Sequence, residues 1–347
     1  MLLILTINKN KGKYMNIKKI GLTALAGSLI ATTTGFAGEV SISGAAKLSY
    51  KDIAGTANVA TTEAGVFAMD QELTASGSAE LDNGMTISLS HGLAVSGGAS
   101  DTSSLTLDMG DMGSITYNDT DLGNGLRALK DKTPSAYEDA IDGITGAVQA
   151  AMASGQGFAY NNTFAGAAVS LVYSDNLGAT ADRSDGGQDT TSAGASSSSS
   201  IGVTYPVLDL GLTVYGGVGS AGQADGKEHD HNTLGATYAF GPMTINYQRN
   251  GMDDSDNGVT GAVSNGADLT THIMGVSFMV NDNLSVSYAE HDTATSLSNV
   301  DQEAAGFSIA YSMGGMTLSA YHNEADNAAN VSGSGAEATE ILLSFAF

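Results

Sequence analysis

The residues of this sequence best placed to do chemistry are carboxylates. Asp119, Asp121, Glu138, Asp139 and Asp142 fall in one stretch, 119–156, and Asp70, Glu72 and Asp108, with Lys47, fall in segments of alternating polarity. Carboxylates grouped around an enclosed aqueous space enrich cations and repel anions. Other constellations are weaker. Asp253-Asp254-Ser255-Asp256-Asn257-Gly258 has the composition of a calcium loop but lacks the register and closing Glu of an EF-hand. It reads as a solvated acidic loop with, at most, loose Ca²⁺ bridging. His229 and His231 flank Asp230 and read as incidental loop histidines, so no metal site is expected. His91, His272, His291 and His322 lie near strand ends with no Ser or Asp partner implied. No G-x-S-x-G is present, and the absence of Cys removes thiolate nucleophiles, thiolate metal sites and disulfides. The chain is therefore not read as an enzyme, and no cofactor is expected.

Those carboxylates need a scaffold, and composition narrows it. The chain has 347 residues, 37 acidic against 13 basic, with 45 Gly and only 14% charged residues. A soluble protein carries roughly 25% charged residues and ~7% Gly. The formal net charge of -24 argues against nucleic-acid binding, which needs a basic footprint. A Gly-rich secreted array and a membrane β-barrel both fit, but an array needs a fixed-period repeat and none is present.

Compartment is read from the first residues. From Met15, Lys18 and Lys19 precede an apolar run, Ile20 to Ile30, and Gly35 and Ala37 supply small residues before Gly38. This pattern predicts a signal peptide over 1–37, cleaved before Gly38, with 1–14 read as a misassigned start. All five basic residues of that leader lie outside the mature chain, which then holds 8 basic and 37 acidic residues.

Period-two alternation runs through 38–347. In 39–51, Val40, Ile42, Gly44, Ala46, Leu48 and Tyr50 share one face, and Glu39, Ser41, Ser43, Lys47, Ser49 and Lys51 the other. The same reading places strands near 39–51, 67–81, 85–94, 103–109, 114–118, 157–164, 167–174, 200–206, 211–218, 232–240, 243–250, 271–280, 284–290, 304–312, 316–322 and 339–347. Sixteen strands close an antiparallel barrel with both ends on one side. Every second link is short, as at Asp82-Asn83-Gly84, Ala165-Gly166 and Gly241-Pro242, whereas the others are long and polar. Outer-membrane barrels have short turns on one side and long loops on the other. Tyr50, Tyr117, Tyr160, Tyr173, Tyr205, Phe240, Tyr288, Tyr311 and Phe347 sit where aromatic girdles belong.

The final residues, ILLSFAF, alternate up to Phe347, and the mature chain starts Glu39-Val40-Ser41-Ile42-Ser43-Gly44. Both ends resemble those of the Gram-negative outer-membrane porins, in particular the sixteen-stranded general-diffusion porins of alphaproteobacterial type. The resemblance covers 38–347 as architecture. It departs from that pattern in having no Trp, few basic residues and a helix-like third loop.

The resemblance implies a homotrimer in the bacterial outer membrane, in contact with lipid and lipopolysaccharide. Each subunit would be a passive water-filled channel for small hydrophilic solutes, with Phe347 as the assembly signal and the third loop folded inward as an eyelet. Here that loop is 119–156. Thr133 and Pro134 suit a helix start, and Tyr137, Ile141, Ile144, Val148 and Met152 follow at helical spacing. The expectation is an amphipathic helix with its apolar stripe on the wall and Asp119, Asp121, Glu138, Asp139 and Asp142 toward the lumen. Alternation turns Lys47, Asp70, Glu72 and Asp108 inward, with Lys47 on the wall opposite the loop and Glu80 at the rim. Acids so outnumber bases that cations should be preferred. The alternative is a structural or adhesive barrel with an occluded lumen, which would pass no steady current.

Overall fold

The computed structural model describes residues 40–55, 63–94, 103–119, 122–152, 155–176, 197–207, 210–222, 228–254 and 268–347. The expected signal peptide lies outside them, as do Asp121 and most of the Asp253–Gly258 loop.

Sixteen strands form one closed barrel in which each pairs antiparallel with its neighbours in sequence and β1 pairs with β16. They are β1 (Val40–Gly55), β2 (Glu63–Glu80), β3 (Thr86–Ala94), β4 (Ser103–Asp108), β5 (Ser114–Asn118), β6 (Gln156–Phe164), β7 (Ala167–Asn176) and β8 (Ser198–Val207). The second half comprises β9 (Leu212–Gly222), β10 (Glu228–Phe240), β11 (Met243–Asp254), β12 (Leu269–Asn281), β13 (Leu284–Thr295), β14 (Gln302–Met313), β15 (Met316–Asp326) and β16 (Ala336–Ala346). Closure leaves no unpaired edge, the requirement for spanning a bilayer with strands.

Alternation sorts the two faces. Outward positions carry Leu234, Tyr247, Tyr288 and Phe307, all exposed, whereas the inward Gln248, Ile273 and His291 are fully buried. An apolar exterior around a buried polar interior inverts a soluble protein and suits lipid outside. The exposed aromatics form two bands. Tyr205, Phe240, Phe278 and Tyr311 lie near the short turns, and Phe67, Phe158 and Tyr173 lie toward the loops. The seam closes beyond β16: Gly44 N–H donates to the Phe347 carbonyl at 2.8 Å, and Phe347 N–H donates back at 3.0 Å. The Phe347 ring lies where a Cβ on Gly44 would stand, so that position admits only glycine without displacing the ring.

Candidate functional site

The described residues of the 119–155 connection, loop 3, lie inside the barrel and run along its inner wall. Its outgoing arm passes β7 and β8, where Gly125 N–H donates to Ser170 Oγ (2.9 Å) and Leu126 N–H to Ser200 Oγ (3.2 Å). It continues past β11, β13 and β14: Lys132 N–H bonds Gln248 Oε1 (3.1 Å), Ala136 N–H Ser287 Oγ (2.9 Å) and Tyr137 N–H Ser308 Oγ (3.0 Å). At the apex, Asn323 Nδ2 on β15 donates to the carbonyls of Asp139 (2.9 Å) and Asp142 (3.0 Å). The returning arm retraces the wall higher up. Val148 exchanges two 3.0 Å bonds with the Gln302 side chain, and Ala150 N–H reaches Thr271 Oγ1 at 2.9 Å.

The expected helix does not form. Among the described residues the loop holds only a 3₁₀ turn at Arg127–Leu129. Glu138, Gly143 and Gly146 all have positive φ, which an α-helix excludes. The wall also supplies the hydrogen bonds that a helix would otherwise make within itself. The apolar stripe still lands on the wall: Tyr137, Ile141 and Ile144 pack with Ala304, Tyr321 and Ala338, and Met152 with Leu126 and Ala221.

Small wall residues make the seat. A Cβ on Gly275 would collide with Thr133, one on Gly217 would come 2.9 Å from Leu126, and one on Gly219 2.7 Å from the Met152 sulfur. No described side chain of β1–β5 is buried, so loop 3 covers the β7–β16 wall and leaves the other side open. The open side is lined by hydroxyls, with Ser41, Ser76, Ser88, Ser90, Ser104 and Thr106 around a cavity of about 350 Å³.

Arg127, Lys130 and Lys132 lie on the outgoing arm with Asp131 among them, and Glu138, Asp139 and Asp142 lie at the apex. Asp142 accepts from Asp139 N–H (3.1 Å) and Asp139 from Ile141 N–H (3.1 Å), which ties the apex into a turn. A hydrogen bond with Asp142, then burial, then the charges of Asp142, Asp139 and Glu340 push the Glu138 carboxyl up to about 7. Burial, reinforced by Asp142, also raises Asp139. Beside the apex, Lys51 on β1 pairs with Glu340 on β16 at 3.7 Å.

Other predicted residues are placed as follows. Asp119 accepts from Ser103 N–H (2.8 Å) and anchors the loop's start. Asp108 accepts from Gly110 N–H (2.9 Å) at the short turn and lines, with Lys132, a cavity of about 390 Å³. Lys47 and Asp70, cross-strand neighbours, approach to 3.9 Å with both side chains well exposed. Glu72 is inward on β2, and Glu80 is exposed beside the turn.

The histidines need correction. His229 and His231 lie on β10 rather than in a loop, and both face inward. His91 does have a serine partner, Ser103 Oγ at 2.6 Å, but the pair sits on the outer face. His291 has an aspartate: its Nε2 lies 3.3 Å from Asp131 Oδ2, with the two side chains 0% and 8% exposed. Among the described residues no three metal-ligating side chains come together.

No protein-family model matches the chain, and no curated protein matches it. Solved structures do. A porin refined at 1.8 Å resolution is 16% identical with a TM-score of 0.64, over 89% of this chain and 100% of that one. An anion-selective porin from Comamonas acidovorans is 13% identical with a TM-score of 0.61, over 89% and 99%. The outer-membrane channel DcaP of Acinetobacter baumannii is 11% identical with a TM-score of 0.62, over 90% and 98%. The fold is that of the porins. Its strand number and closed antiparallel topology are those expected from the sequence.

Proposed function

We propose that this chain is an outer-membrane porin: a passive, water-filled, non-enzymatic channel for small hydrophilic solutes that favours cations and assembles as a homotrimer. The observation that carries the reading is loop 3, laid along one side of the lumen while the other side stays open and hydroxyl-lined. A plugged barrel would have its loop across the opening. The sign of selectivity does not follow from the fold, since one similar structure is described as anion-selective. It follows from side chains. Glu138 and Asp142 stand together at the loop apex, Glu72 lines the wall, and Lys47 and Lys51 are each held beside a carboxylate. Low-dielectric walls focus that excess negative charge and concentrate cations, an effect that salt weakens. Conductance of the refolded mature protein in a planar KCl bilayer, with reversal potential under a salt gradient, tests this. Current steps grouped in threes with a cation-selective reversal are expected. An anion-selective reversal removes the assignment of the acids, and zero conductance from a folded barrel leaves a structural or adhesive role.

A further inference from the structure

Loop 3 is seated along the wall mostly by neutral hydrogen bonds, although its sequence carries six acids, Asp119, Asp121, Asp131, Glu138, Asp139 and Asp142. One contact differs. Asp131, midway along the outgoing arm, meets His291 of β13 at 3.3 Å, where both side chains are buried. Its other oxygen accepts from Thr133 N–H at 2.7 Å, so the carboxylate also fixes the loop's bend. Burial alone would raise the Asp131 pKa, but hydrogen bonding and charge from His291, with help from Thr133, bring it below the ordinary carboxylate range. Asp139 adds a second, more distant carboxylate to the field at His291. His291 faces inward between Ile273 and Ala304, its cross-strand neighbours, and therefore offers the loop the polar atom that those two cannot.

We propose that the Asp131–His291 pair is the positioning contact that fixes loop 3 at the width of the open channel. This rests on the channel reading for its consequence, but not for the contact itself. A buried carboxylate–imidazole contact is unforgiving: removing one partner leaves the other polar and uncompensated, whereas a neutral hydrogen bond to a wall serine is easily replaced by water. The pair also joins the loop to the barrel wall midway along the arm, so its loss loosens the arm around Asp131 although the bonds at Leu126 and Ala136 remain.

The test uses the full mature chain as wild type, Asp131→Asn, His291→Leu and the exchanged pair D131H/H291D. Asp131→Asn keeps the shape of the side chain and stands in if His291→Leu fails to fold. Amide exchange of 125–150 in detergent is expected to accelerate about tenfold in either single variant, strand amides being unchanged, a factor that corresponds to ~1.4 kcal/mol. In bilayers the same variants should close about tenfold more often, and the exchanged pair should recover both readings toward wild type. A purely packing role would not be rescued by exchange. Unaltered loop exchange in Asp131→Asn overturns the proposal, as does faster exchange with undisturbed current. A wild-type barrel that does not conduct would instead remove the channel reading, while amide exchange still decides whether the pair seats the loop.

Discussion

The two sides of this barrel solve different problems with similar strands. From β7 to β16 the inner wall is a seat. Its inward positions are mostly glycine, alanine and small or amide side chains, with a few larger ones such as Ile273, His291 and Tyr321, buried beneath loop 3. From β1 to β5 it is a bank facing the lumen, hydroxyl-rich, with charges such as Lys47, Asp70 and Glu72 and no described side chain buried. Alternation alone cannot distinguish them, because both read as apolar outside and polar inside. What separates them is whether the inward side chain is short enough to admit a second layer and polar enough to hold its backbone.

The same substitution placed on each side should have opposite weight. Gly275→Leu puts a side chain where Thr133 sits. Overpacking of this kind costs about 1–3 kcal/mol, and expulsion of the loop is expected, seen as faster amide exchange over 125–150. Ser76→Leu, on the bank, meets open space and should alter stability by no more than about 0.5 kcal/mol. Equal thermal stabilities for the two variants would mean that the two walls are not functionally distinct.

The next effect concerns pH and is confined to the apex of the seated loop. Glu138 lies close enough to Asp142 for its carboxyl to titrate at about 7. The sign is fixed. Below that value Glu138 is protonated and the apex loses one negative charge; above it the charge returns. Cation preference, read as reversal potential, should therefore rise between pH 6 and 8 and stay flat in Glu138→Gln. Seating follows the opposite trend. A carboxyl raised from its ordinary 4.5 to about 7 holds a proton in the seated state that it would release when free. Seating thus weakens as pH rises through that window, and loop amides should exchange relatively faster at pH 8 once intrinsic exchange is corrected for.

Much of this architecture is legible in the sequence, for a physical reason. Strand alternation and tight turns are local, so Val40 to Tyr50 or Gly241-Pro242 declare themselves without knowledge of partners. The strip from Tyr137 to Met152 also shows correctly which side chains are apolar and seek a wall. Its helix was not to be had, because the competing partners are distant in sequence: Ser287 for Ala136, Ser308 for Tyr137 and Gln302 for Val148. Periodicity reports what a segment would do by itself, and the barrel wall outbids that preference. The Asp131–His291 contact is illegible for the same reason, since neither residue has a distinctive neighbourhood. One signal was available. Gln248, Asn250 and Asn323 are amides at inward positions of strands, and a run of amides on an otherwise small-residue wall marks where backbone must be bound.

The smallest effect tests whether the bank contributes to selectivity at all. Lys47 and Asp70 stand 3.9 Å apart, with side chains 44% and 61% exposed. An exposed pair at that separation is worth about 0–1 kcal/mol, so Lys47→Ala should leave the melting temperature almost unchanged. Its electrical consequence is separate from its stability. Removing a cation from the lumen unmasks Asp70, which has no loop backbone to bind and faces only water and passing ions. The reversal potential should then move modestly toward cations, and the shift should fade as ionic strength shortens the Debye length from ~10 Å at 0.1 M to ~3 Å at 1 M. Asp70→Asn should move it the other way by a similar amount. If neither variant shifts the reversal potential at low salt, the bank is a passive surface, and selectivity resides wholly in the seated loop apex around Glu138 and Asp142.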